Sequence, residues 1–194
     1  MRAADVQRRT GETDVHVALA LDGTGTAEIE TGIGFFDHML TLMARHSLID
    51  LNIRVTGDLE TGSHHTVEDT GILLGSAIDQ ALGDRRGIER YGAATVPMDE
   101  CLAEAVIDIS GRPLSVIMVD LPPGVIGGFE NDLLEEFMRA LASSARLTLH
   151  LRLIEGGNPH HVIEVCFKAV ARALRAAVSH NPRENGIPST KGTL

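Results

Sequence analysis

The chain has no tryptophan, one tyrosine and five phenylalanines, so aromatics make up 3% of its 194 residues. That scarcity argues against a surface that binds nucleic acid by stacking bases on aromatic rings. Positive charge is also scarce. Seventeen Lys and Arg stand against 27 Asp and Glu, a formal net charge of −10. That balance disfavours non-specific binding to nucleic acid or to an anionic membrane, while leaving room for a local basic pocket. Cysteine occurs twice, at Cys101 and Cys166, without zinc-type spacing. Both read as reduced thiols. No signal peptide and no apolar run of membrane-spanning length is evident, so the cytoplasm is the expected compartment. What the chain does have is 43% hydrophobic residues, which is enough for a sizeable aliphatic core.

One short pattern occurs twice. His64-His65-Thr66-Val67-Glu68 and His160-His161-Val162-Ile163-Glu164 both read H-H-x-x-E, 96 positions apart, about half the chain. Imidazole and carboxylate are good transition-metal ligands. On a helix, positions i and i+4 share a face, so His64 and Glu68 point together. The adjacent His65 is turned about 100° away. One copy therefore cannot easily close around an ion. Two copies point to a two-metal site, or two sites, with ligands pooled from both halves or from neighbouring subunits.

Other segments fall into the same order twice. Val15 to Leu21 alternates as a half-buried strand. Asp22-Gly23-Thr24-Gly25 is a hairpin signal leading to a second strand at Ala27 and Ile29. Phe36, Met39, Leu40 and Met43 follow helical spacing. Leu51, Ile53 and Val55 form a strand, Gly57 to Ser63 a loop, and a helix opens at the first histidine pair. Gly71 and Gly75 on its apolar face permit close packing. After a charged connector from Gly83 to Gly92 come strands at 102–109 and 114–119. A helix follows with Leu134, Phe137, Met138 and Leu141. Next are a strand from Leu147 to Leu153 and the second histidine helix. Leu51 matches Leu147 at 96 positions, and the earlier helices match at 98, which puts His38 opposite Glu136. The expected fold is α+β, an internal duplication of a ββαβα half. Its halves are 1–92 and 93–194, and its two sheets have the helices packed between them.

The parallel ligand sets are His38, His64, His65 and Glu68 in the first half, and Glu136, His160, His161 and Glu164 in the second. Near the end, Pro188-Ser189-Thr190-Lys191-Gly192 offers hydroxyls and an amine that suit a phosphate. Arg90, Arg112 and Lys168 are further cations near the key turns and helices.

These motifs carry a resemblance. The double H-H-x-x-E occurs with Gly32-Ile33-Gly34-Phe35-Phe36-Asp37-His38-Met39-Leu40, Arg90-Tyr91-Gly92 and Pro97-Met98-Asp99-Glu100. Ser110-Gly111-Arg112-Pro113, Phe167-Lys168-Ala169 and Pro188 to Gly192 follow in the same order. Together they resemble the imidazoleglycerol-phosphate dehydratases over nearly the whole chain. The resemblance implies removal of water from imidazole glycerol phosphate, giving imidazole acetol phosphate in histidine biosynthesis, through a metal-bound imidazolate and a diazafulvene. It implies two Mn2+ per subunit on the eight ligands just named. It also implies a homo-oligomeric shell of 24 subunits with sites at subunit interfaces. Glu12 matches the family's acid/base glutamate, and His46 is a further catalytic candidate. Arg90, Arg112, Lys168, Ser189 and Lys191, with Glu12, match substrate and phosphate contacts. Three departures stand out, the first being Gly11, where lysine is expected. Glu136 lies where histidine is usual, and Thr61-Gly62-Ser63 lacks the aspartate that usually supports the first histidine pair. Two other functions fit a two-metal cluster, a phosphohydrolase and a non-catalytic metal-binding shell. The aspartate-poor ligand set argues against the first, and the anion-binding cations argue against the second.

Overall fold

The structure is a computed structural model, and it describes residues 2–194. Its first sheet is built from β1 (Ala3–Arg9), β2 (Thr13–Ala20), β3 (Ala27–Glu30) and β4 (Asp50–Gly57), in the order β1-β2-β4-β3. The second sheet contains β5 (Tyr91–Met98), β6 (Cys101–Asp108), β7 (Leu114–Met118) and β10 (Thr148–Glu155), in the order β5-β6-β10-β7. In each, the first three strands in spatial order pair antiparallel and the fourth joins in parallel. Between β7 and β10 lies a small antiparallel hairpin of β8 (Val125–Ile126) and β9 (Phe129–Glu130).

Four helices fill the space between the sheets. They are α1 (Gly34–Ser47), α2 (His64–Leu82), α3 (Leu133–Ser144) and α4 (Pro159–Val178). The long helix α2 covers β1 and β2, and α4 covers β5 and β6. The shorter helices pack crosswise, α1 on α4 and α3 on α2. Residues of both sheets and all four helices therefore share one core, in which the Phe137 ring packs against both Phe36 and Phe167. Gly71 and Gly75 are what let α2 approach α3. A Cβ on Gly75 would sit 2.5 Å from the Leu141 carbonyl oxygen, and one on Gly71 3.0 Å from that of Phe137.

The strand pattern departs from the sequence reading in three places. Each half carries one more main-sheet strand than ββαβα, giving βββαβα, and the second half adds the β8–β9 hairpin. β1 was hidden because its face on the core contributes only Ala4 and Val6 among polar residues. β5 was hidden because its inward positions begin with the small residues Gly92 and Ala94, leaving only Val96 and Met98 as larger ones. A Cβ on Gly92 would lie 2.0 Å from the Ala173 carbonyl oxygen of α4. β5 also begins at Tyr91, so the division drawn between residues 92 and 93 falls inside it. The Asp22–Gly25 turn is not a hairpin. Asp50 accepts hydrogen bonds from the Thr24 and Thr26 N–H groups, both at 2.8 Å, and the chain runs on to pair β3 in parallel with β4. Alternation identifies a strand without naming its neighbour.

Candidate metal centre and anion cavity

Three of the expected ligands converge within the chain. His38 comes from α1, His160 and Glu164 from the first turns of α4, and their ligand atoms all lie within 4.8 Å of one another. Glu164 Oε2 is 3.7 Å from His38 Nε2 and 3.3 Å from His160 Nε2. The other oxygen of Glu164 takes the Lys168 ammonium at 2.7 Å. Glu164 is buried, which by itself would raise its pKa; Lys168 and the two histidines outweigh that and hold it low. The Phe35 ring lies edge-on to the His160 ring at 4.9 Å and fixes its plane. The helix start is capped by Asn158, whose side chain accepts the His160 N–H at 2.9 Å, with Pro159 at the first position.

The first histidine helix presents a smaller group. His64 Nε2 lies 3.6 Å from Glu68 Oε2, one turn on. In both copies the second histidine turns away. The His64 and His65 rings are 6.0 Å apart at 88°, and those of His160 and His161 are 5.9 Å apart at 86°. Each outlying ring is held through Nδ1 by a carboxylate. Asp58 holds His65 at 3.0 Å, and Glu100 holds His161 at 3.0 Å. Such a contact fixes the tautomer and leaves Nε2 free to ligate. It also raises the pKa of both imidazoles. Glu100 itself is lowered to about 2, first by the Asn158 N–H and then by His161. Support for the first histidine pair thus comes from Asp58, at the end of β4, rather than from the 61–63 loop. Neither Asp58 nor Glu100 is legible as a partner from spacing, because each lies on a separate element from its histidine. Glu136, in the first turn of α3, is half-buried and belongs to no cluster of three ligand atoms among the described residues.

Glu12 occupies the turn between β1 and β2. It is exposed, and its Oε1 faces His65 Nε2 at 3.8 Å. His46, in the last turn of α1, is half-buried. Burial lowers its pKa, and the nearby charges of Lys168 and Arg172 lower it further.

The phosphate-type residues gather at the opposite end of the second sheet. Arg90, Arg112, Ser189 and Lys191 line one cavity of about 490 Å³ with Tyr91, Ser110 and Thr190. Arg90 adopts a left-handed backbone at φ 69°. Its guanidinium forks onto Asp108 at 2.7 and 3.2 Å and donates to the Pro188 carbonyl at 2.8 Å, tying the C-terminal segment to the sheet. Lys168 is not brought into this cavity and remains with Glu164.

Comparisons with known proteins identify the family. The imidazoleglycerol-phosphate dehydratase family profile matches residues 31–174. The chain is similar to the dehydratase of that name from Moorella thermoacetica, at 54% identity over 100% of this chain and 98% of the relative. It is 56% identical to the one from Symbiobacterium thermophilum, over 100% and 93%. Among solved structures, the Staphylococcus aureus enzyme superposes with a TM-score of 0.84 at 41% identity, covering 92% of this chain and 99% of that one. The Pyrococcus furiosus enzyme, in complex with (S)-C348, gives 0.83 at 37% identity, covering 97% and 100%.

Proposed function

Because the chain belongs to the imidazoleglycerol-phosphate dehydratase family, and so is a hydro-lyase of histidine biosynthesis, we propose the particular reaction and site that follow. The substrate is imidazole glycerol phosphate and the product imidazole acetol phosphate, formed in the cytoplasm. The observation that carries this reading is the convergence of His38, His160 and Glu164 from two helices onto one point.

The donors fit manganese. Five imidazoles and three carboxylates, with no thiolate among them, suit a borderline-to-hard divalent ion. His38, His64, His65, Glu68, Glu136, His160, His161 and Glu164 would hold two ions per subunit, with neighbouring subunits completing each set in a 24-subunit shell. When bound, manganese supplies Lewis acidity toward the imidazole ring of the substrate.

The substrate explains why such a site is needed. The departing hydroxyl is on the carbon next to the ring, and the proton to be lost is on the following carbon, which has no carbonyl to acidify it. An electron-rich ring can expel hydroxide and become a conjugated diazafulvene, and that conjugation makes the neighbouring proton acidic. Glu12 takes that proton, as a positioned carboxylate can. Loss of the proton gives an enol, which becomes the ketone. Arg90, Arg112, Ser189 and Lys191 hold the phosphate and orient the reacting carbons. His46, kept neutral by burial and by Lys168 and Arg172, is the alternative proton carrier.

The test is incubation of manganese-loaded protein with imidazole glycerol phosphate. Ketone product is expected. Release of inorganic phosphate would instead assign a phosphohydrolase, and no reaction would assign a metal-binding shell.

A further inference from the structure

Asp69 follows the first H-H-x-x-E directly, yet it does not face the ligand side. Its side chain is 11% exposed and points into the space between α2 and the first sheet. Both of its oxygens are engaged. Oδ2 accepts the Thr13 hydroxyl at 2.5 Å, and Oδ1 takes Arg8 Nη1 at 2.5 Å. Arg8 is on β1 and Thr13 opens β2, so this one carboxylate grips both arms of the turn that carries Glu12.

Beyond the packing of α2 on β1 and β2 and the facing of Glu12 and His65, the turn has few polar ties to α2. Thr10 Oγ1 accepts the Glu12 and Thr13 N–H groups at 3.1 and 3.0 Å, which shapes the turn internally. The Asp58 N–H donates to the Glu12 carbonyl at 3.1 Å, which ties the turn to the end of β4. Among the described residues, Thr13–Asp69 and Arg8–Asp69 are the only side-chain hydrogen bonds from the turn's arms to the helix that presents His64, His65 and Glu68, and they add to the packing of α2 on β1 and β2. A buried carboxylate is costly unless fully hydrogen-bonded, and a fold needing only to cover β2 would be served by an apolar residue here.

We propose that Asp69 is a positioning residue, one that sets Glu12 against the metal-binding end of α2 through the hydroxyl of Thr13. The proposal rests on the reading of Glu12 as the acid/base. Asp69→Asn removes the charge with little change in volume. It is expected to lower kcat by about 10–100-fold, the scale of a misplacement of about 1 Å. KM should stay within about two-fold, and bound manganese should be unchanged. Thr13→Val should reproduce the loss, and Thr13→Ser should recover most of it.

The decisive arm places Asp69→Asn in a Glu12→Gln background. With no carboxylate left to position, the second substitution should change kcat by less than about two-fold, the non-additivity of residues acting as one unit. An equal drop in both backgrounds would overturn the proposal, as would loss of manganese or failure of both Asp69→Asn and Thr13→Val to fold. A Glu12→Gln enzyme with full turnover would instead remove the acid/base reading itself, a separate result.

Discussion

His65 and His161 show at the residue scale how two identical pentapeptides produce more than two equivalent ligands. Adjacent helical positions diverge, so each pair sends one ring toward its own glutamate and one ring outward. The outward ring would rotate freely without its carboxylate partner. Asp58 and Glu100 supply that partner from different elements, the end of β4 and the β5–β6 turn. Replacing Asp58 by Asn leaves an oxygen that can accept the ring N–H but removes the charge that favours this tautomer. Manganese affinity is expected to fall about 10–100-fold, the usual consequence of losing such a partner. Titration calorimetry of the metal-free protein checks this. An unchanged affinity would show the contact to be incidental. The candidate ligands were legible because the pattern repeats and the residue types are chemically specific; of them, His38, His160 and Glu164 come together within one chain. Their supporting carboxylates were not, because an exposed Asp or Glu is ordinary until the fold sets a histidine beside it.

Among the secondary-structure elements, the helices were the most legible and the edge strands the least. Phe36, Met39, Leu40 and Met43 recur at helical spacing and are all buried in α1. β1 and β5 carry few large apolar residues, so alternation gave no signal there. The glycines of α2 were informative in the other direction, since small residues on an apolar helix face imply a close neighbour. That neighbour is α3, and the contact carries a prediction. Gly75→Ala would ordinarily help a helix by about 1 kcal/mol. Here the new methyl would fall 2.5 Å from the Leu141 carbonyl oxygen and 2.8 Å from the Ala145 nitrogen, so α3 must move. Overpacking of this kind costs about 1–3 kcal/mol. The variant should therefore unfold at a lower temperature than the parent. A rise in melting temperature would show that the helices have slack at this point.

At the scale of the whole molecule, the same crosswise packing that joins α1 to α4 brings His38 to His160 and Glu164. Within one chain this gives three ligand atoms at one place and two, from His64 and Glu68, at another. His65 and His161 stand outside both groups. Metal ions of this class bind four or more ligands. On the proposed manganese reading, a single chain would leave ligands unused and sites underfilled, and contact between copies would resolve both at once. Metal binding then favours whatever assembly brings the ligands together. Elemental analysis after manganese reconstitution should find close to two ions per chain. Stripping them with a chelator should shift the particle to smaller species in light scattering, and restoring manganese should reverse the shift. Full-size particles that persist after complete removal of metal would show that protein contacts alone hold the copies together. A content near zero after reconstitution would dismiss the ligand assignment itself.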